Sequence, residues 1–222
     1  RESAGKIVYI MGSAAVIGKA SIGSTIRGAD VIRDIELTDG FFPGFRAFDA
    51  DVGNGISLRG RTGGEGPPLL LLHGYPQTHA CWHEIAPKLA QHYTVICADL
   101  RGYGDSSKPV GLEDHSNYSK RAMALDMVEL MASLGFERFH LVGHDRGGRV
   151  SHRLAADHPE RVHTLTVLDI SPTLRMFEST NMEFARAYYH WFLMLQPPPL
   201  PEQMLAGQVP FNLLGRIGRE EP

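Results

Sequence analysis

Four short, largely apolar runs, Leu69–Leu72, Thr94–Asp99, Phe139–Gly143 and Thr164–Asp169, punctuate the middle of the chain. Runs that are continuously apolar rather than alternating predict strands buried on both faces of a parallel sheet. Segments with helical spacing lie between them. The clearest carries Met123, Met127, Leu130, Met131 and Leu134 on one face, with Ser119 as N-cap and Gly135 as the stop. A second helix is predicted from about Arg146 to Asp157, ended by Pro159, and a third from about His83 to Gln91. Such alternation predicts an α/β fold: a mostly parallel central sheet, flanking helices and right-handed crossovers. Ligands in such sheets bind at the carboxyl ends of the strands.

The two ends of the chain are patterned differently. Phe45–Ala50 and Ile56–Arg61 are strand-like and flank Gly53-Asn54-Gly55, a hairpin signal, and Gly63–Pro68 marks a second turn. Residues 1 to 40 are small, rich in Gly and Ala and weakly patterned, and are expected to form an N-terminal extension outside the fold. Gly12 to Lys19 fails as a phosphate loop, because the glycines are one residue too far apart and Ala20 replaces the Ser or Thr that would hold magnesium. The apolar stretch Ile7 to Ile17 is followed at once by Lys19 without a small-x-small cleavage site, so it is not read as a signal segment. From Pro172 onward the chain is aromatic and helix-rich over Met176 to Leu195, and Pro197 to Pro201 reads as a stiff connector. The expected division is an extension over 1–40, a core over 41–171 and the beginning of a helical cap over 172–222.

Composition narrows the function classes. The 222 residues are 43% hydrophobic and 21% charged, as in an ordinary globular protein, and contain no apolar run of membrane-spanning length. Lys plus Arg number 22 against 25 Asp plus Glu, so there is no basic excess to neutralise a nucleic acid backbone. Cys81 and Cys97 cannot form a disulfide framework, which fits a reducing compartment, and a cytoplasmic protein is expected. The chain begins at Arg1 and ends at Arg219-Glu220-Glu221-Pro222, which suggests a fragment.

The most informative stretch is Leu141-Val142-Gly143-His144-Asp145-Arg146-Gly147-Gly148-Arg149. A strand runs into a helix through small-x-acid-x-small, a nucleophile elbow with Asp where esterases have Ser. An Asp at such a junction also serves as a plain helix cap, so the elbow alone leaves both readings open. Its context separates them. His73-Gly74-Tyr75-Pro76 follows an earlier strand, and the backbone N–H groups of Tyr75 and Arg146 are placed to converge on one oxygen as an oxyanion hole. Asp169 ends the last recognisable strand, where it would orient a histidine. His83-Glu84-Ile85-Ala86-Pro87 starts like a zinc motif but has Pro at the last ligand position; no metal and no cofactor are expected.

Through HGYPQ, ADLRGYGDS, FERFHLVGHDRGGR, LTVLDISPT and the segment around Tyr189-His190-Trp191, the chain resembles the haloacetate dehalogenases of the α/β-hydrolase superfamily from about Phe41 to Ile217. The resemblance implies Asp145 as a nucleophile that forms an alkyl ester, later cleaved by water. It implies Arg146 and Arg149 as a clamp for a substrate carboxylate, for which guanidinium forks are suited. It also implies His190 and Trp191 as halide-pocket donors, against the plainer reading of cap packing. A small anionic substrate is the implied partner, and a homodimer is left open.

The implied mechanism needs a histidine base from beyond Asp169, and the one histidine after it is His190, in the cap. The base is therefore expected to be absent, with alkylation of Asp145 retained and ester hydrolysis impaired. Three alternatives remain. An epoxide hydrolase also uses an elbow Asp, with Tyr188 or Tyr189 as acid; two arginines beside the nucleophile favour an anionic substrate instead. A haloalkane dehalogenase usually has Trp where this chain has Arg146. A non-catalytic remnant would keep the fold without the chemistry.

Overall fold

The computed structural model describes residues 7–10 and 40–206, which belong to two compact units, Arg1–Ile170 and Ser171–Pro222. The first unit holds β1 (Ile7–Ile10), β2 (Arg46–Asp51), β3 (Ser57–Gly63), β4 (Pro68–Leu72), β5 (Thr94–Ala98), β6 (Phe139–His144) and β7 (Val162–Leu168). They form one seven-stranded sheet in the order β1-β7-β6-β4-β5-β3-β2. The strands from β1 to β5 in that order pair in parallel; β3 joins β5, and β2 joins β3, antiparallel.

Alternation along each strand explains why the central runs are apolar throughout. Leu70, Leu72, Ile96 and Ala98 face one side, in a core with Leu58, Leu141 and Val167; Leu69, Leu71, Val95 and Cys97 face the other, against Phe42, Phe45, Trp82 and Ala86. Both faces are covered, so both registers of each strand must be apolar. The first core is closed by α2 (Lys120–Ser133) and α3 (Arg146–Asp157), through Met123, Met127, Leu130, Met131, Val150 and Leu154. α2 begins where the pattern placed it, since the Ser119 hydroxyl accepts from the Ala122 N–H at 3.1 Å. It ends at Gly135, whose φ of +87° lets Phe136 N–H reach the Met131 carbonyl and Gly135 N–H the Ala132 carbonyl.

Two expectations need correction. The helix expected from His83 to Gln91 is a 3₁₀ turn, His79–Trp82, followed by the four-residue α1 (Ala86–Leu89). Pro87 lacks an N–H and is tolerated only in a helix's first turn, so the helix cannot begin as early as His83. The second concerns the N-terminal extension. Ile7–Ile10 pairs in parallel with β7, Ile7 opposite Leu165 and Ile10 opposite Leu168, so part of the segment expected outside the fold is a strand of its sheet.

The loop after β5 is fastened to α2. Arg101 Nε donates to Asp126 Oδ2 at 2.6 Å, Arg101 Nη2 pairs with Asp126 Oδ1, and Arg101 Nη1 donates to the Asn117 carbonyl at 2.7 Å. Both side chains of the pair are almost wholly buried.

The second unit carries α4 (Thr173–Glu178), α5 (Met182–Ala187), α6 (Tyr189–Leu193) and α7 (Leu200–Leu205). Rings join α4, α5 and α6: Phe184 stacks on Tyr188 at 4.7 Å, and Trp191 meets Phe177, Phe184 and Tyr188 at 5.5–5.8 Å. The proline run enters α7 directly, Pro199 as N-cap and Pro201 in the first turn.

Candidate active site

Asp145 stands between β6 and α3 with φ +47° and ψ −113°, a backbone conformation rare for residues with a side chain. Three glycines make this turn sterically feasible. A Cβ at Gly147 would lie 2.3 Å from the Leu72 carbonyl oxygen, one at Gly143 would lie 2.4 Å from that of Gly147, and one at Gly74 would lie 2.6 Å from Asp145 Cβ. Backbone oxygens cannot move aside cheaply, so the elbow and the turn after β4 press together only because these side chains are missing. The strained turn is held by hydrogen bonds from Asp145 N–H to the Leu168 carbonyl and from Arg149 N–H to the Asp145 carbonyl, both 3.2 Å.

The two amides proposed to bind an oxyanion come from these abutting turns. The turn after β4 is closed by Gln77 N–H donating to the Gly74 carbonyl at 2.9 Å, which leaves the Tyr75 amide outside that bond. The Arg146 amide opens α3, where the first N–H groups have no acceptor within the helix. Asp169 directly follows β7, next to Leu168, whose carbonyl receives the Asp145 N–H, and shares the left-handed φ at +48°.

Cations crowd Asp145. Arg146 Cζ lies 5.8 Å from the Tyr75 ring centroid and 6.0 Å from that of Tyr103, so two aromatic rings lie within cation–π range of the guanidinium. Burial pushes the Tyr103 hydroxyl up to about 12, with Arg146 pulling the other way. Burial lowers Arg149 against the pull of Asp145, and the charge of Arg146 adds to that lowering. Lys120, the first residue of α2, shares these neighbours: burial, then Arg146 and Arg149, push its ammonium down to about 8 against the pull of Asp145. Tyr103 and Lys120 were missed at the sequence level. Tyr103 lay inside a quoted motif, but nothing in the motif says which way its ring faces.

A buried polar knot underlies the loops. His79 N–H donates to Asp99 Oδ1 at 2.6 Å and His79 Nδ1 lies 3.0 Å from the same oxygen, while Leu100 N–H donates to His73 Nε2 at 3.1 Å. Burial pushes the Asp99 carboxyl up, but the hydrogen bond and charge of His79 outweigh it and hold it below its ordinary value. Burial holds His73 below its own. Both groups therefore take up protons more readily in the unfolded chain, so the stability they confer is complete at neutral pH and is lost on acidification. The urea midpoint is expected to fall first below about pH 6.5, from His73, and again below about pH 4, from Asp99. His73→Gln should shrink the first decline, leaving the part that His140, also lowered by burial, contributes; a midpoint unchanged between pH 7.5 and 5 in the parent chain would contradict this.

His190 and Trp191 lie on α6 of the second unit, Trp191 within its ring cluster and His190 5.9 Å from the Tyr189 ring. Asp145, Arg146, Arg149, Tyr75 and Asp169 all belong to the first unit. Among the described residues, no three His, Cys, Asp or Glu side chains gather as a metal site, and no helix is long and apolar enough to cross a membrane.

The profile of the alpha/beta hydrolase fold family matches residues 67–211. The fluoroacetate dehalogenase of Burkholderia sp is 59% identical over 164 residues, covering 74% of this chain and 54% of that protein. The soluble epoxide hydrolase of Corynebacterium sp. (strain C12) is 43% identical over 121 residues, 54% of this chain and 41% of that protein. Among solved structures, one from Nostoc sp PCC 7120, described as an alpha/beta hydrolase, superposes with a TM-score of 0.75 at 53% identity, over 77% of this chain and 58% of that one. The chain thus spans about half the length of the curated relatives it matches.

Proposed function

The chain belongs to the α/β hydrolase fold family, and from that premise we propose that it carries the nucleophilic site of a hydrolytic dehalogenase acting on a 2-haloacid such as haloacetate. The observation that carries this reading is a carboxylate, not a hydroxyl, at the strained elbow, with Arg146 and Arg149 in the first turn behind it. The similarity to the fluoroacetate dehalogenase supports it.

In the first step an Asp145 carboxylate oxygen attacks the halogen-bearing carbon in line. The carbon–halogen bond breaks with its electron pair leaving on the halide, and an ester bond forms. Arg146 and Arg149 hold the acid end of the substrate. In the second step water adds to the ester carbonyl, the oxyanion is held by the Tyr75 and Arg146 amides, and the hydroxyacid leaves with Asp145 restored. That step needs a base to take the water's proton, with Asp169 placed to orient it. After Asp169 this sequence offers His190 alone, so these 222 residues are expected to stop at the ester.

Incubation with fluoroacetate, followed by fluoride measurement and intact mass, tests the proposal. About one fluoride per chain and a matching adduct on Asp145 are expected. Continuous release would show that a base is present. Turnover of styrene oxide without any dehalogenation would replace this reading by the epoxide hydrolase one, which the Corynebacterium relative supports.

A further inference from the structure

Two amides on two different turns serve one oxygen only while the turns keep a fixed spacing, and the backbone leaves that spacing half determined. The β4–β6 ladder ends at the pair Leu72 and Gly143. Beyond it, among the described residues, no backbone hydrogen bond crosses between residues 73–77, which carry Tyr75, and residues 144–146, which carry Arg146. One side-chain bond does. His144 Nδ1 and Gln77 Oε1 lie 3.2 Å apart, each side chain half-buried. An amide oxygen only accepts, so Nδ1 carries the proton and donates it.

Both ends of this bond are anchored next to the site. Gln77 N–H donates to the Gly74 carbonyl at 2.9 Å, closing the turn around Tyr75, and His144 directly precedes Asp145. Contact sets the lower limit on the spacing: a Cβ at Gly74 would lie 2.6 Å from Asp145 Cβ and 3.1 Å from His144 Nδ1, so the turns already touch. They can only part, and the side-chain bond opposes parting. We propose that Gln77 is a positioning residue of the Asp145 site, clasping His144 so that the Tyr75 and Arg146 amides stay at the spacing where both reach one oxyanion. The inference rests on the reading of Asp145 as nucleophile and of these amides as its oxyanion hole. The clasp then matters in one step. Displacement at the halogen-bearing carbon builds no charge on the ester carbonyl oxygen, whereas attack on that carbonyl does, and misplaced donors stabilise it poorly.

The test loads the chain with chloroacetate to form the ester and then adds hydroxylamine in place of water and base. Its nitrogen adds to the Asp145 carbonyl, the bond to the glycolate oxygen breaks, the glycolate takes the proton that nitrogen gives up, and Asp145 is left as a hydroxamate. Intact mass follows the exchange, and the same ester in urea gives the rate without a folded site. Gln77→Ala and His144→Phe are each expected to slow cleavage in the folded chain about tenfold, with the double replacement no slower than either alone. Chloride release during ester formation should change less than about twofold in Gln77→Ala. Unchanged cleavage, additive effects of the two replacements, or equal slowing of both steps would overturn the proposal. A parent chain that forms no ester fails the nucleophile reading by itself, and amide hydrogen exchange then decides on the clasp. The Asp145 N–H in Gln77→Ala and the Gln77 N–H in His144→Phe should exchange about fivefold faster than in the parent, and unchanged rates would overturn it.

Discussion

Asp145→Asn is expected to lower halide release from a haloacetate by about 10⁴-fold or more, with no mass adduct forming on the protein. An amide oxygen carries no negative charge, and it cannot displace fluoride or chloride from carbon. The substitution keeps the size of the side chain, and Asn is among the residues that best tolerate a positive φ such as the +47° of this position. The circular dichroism spectrum should therefore match that of the parent. First-turnover halide release with intact mass at several incubation times is the measurement. Release persisting near the parent rate would remove Asp145 as the nucleophile, whereas an unfolded variant would declare itself in the spectrum.

Asp126→Ala is expected to cost about 3–5 kcal/mol, because it strands the buried Arg101 guanidinium with two of its three hydrogen bonds gone. For a chain of this size that is a fall of roughly 10 °C in the thermal midpoint. The consequence should reach the site, since Arg101 lies two residues before Tyr103, whose ring approaches Arg146. The double replacement Arg101→Met with Asp126→Leu should recover much of the loss, since removing both charges leaves neither one buried alone. Thermal melts of the three proteins test this; a single variant as stable as the parent would show that water reaches the pair.

The elbow was legible because its requirements are local and chemical. A strand pattern running into Gly143, a carboxylate at 145 and glycines at 147 and 148 can be read from residue types alone, and the structure supplied the reason in the 2.3–2.4 Å clashes that Cβ atoms would meet. The buried strands were legible too, since a sheet covered on both faces leaves an unmistakable apolar run. The strand at Ile7–Ile10 was not. A short apolar stretch has no period long enough to distinguish strand from helix, and its pairing with Leu165–Leu168 spans more than 150 residues of chain. The helix near His83 was misjudged for the opposite reason: its residues suit a helix, and a single missing N–H at Pro87 moved the start.

The sequence by itself determined the fold class and the parallel sheet and marked the carboxylate at the elbow, because each follows from spacing and residue chemistry along a continuous stretch. Only the tertiary structure decided what surrounds that group. Tyr75 and Tyr103 lie 28 residues apart and both approach Arg146, while Lys120, 25 residues before Asp145, comes within range of its charge. Burial, charge crowding and the aiming of a ring are properties of neighbours in space, and they arise when α2, the loop after β5 and the elbow are packed onto the same sheet.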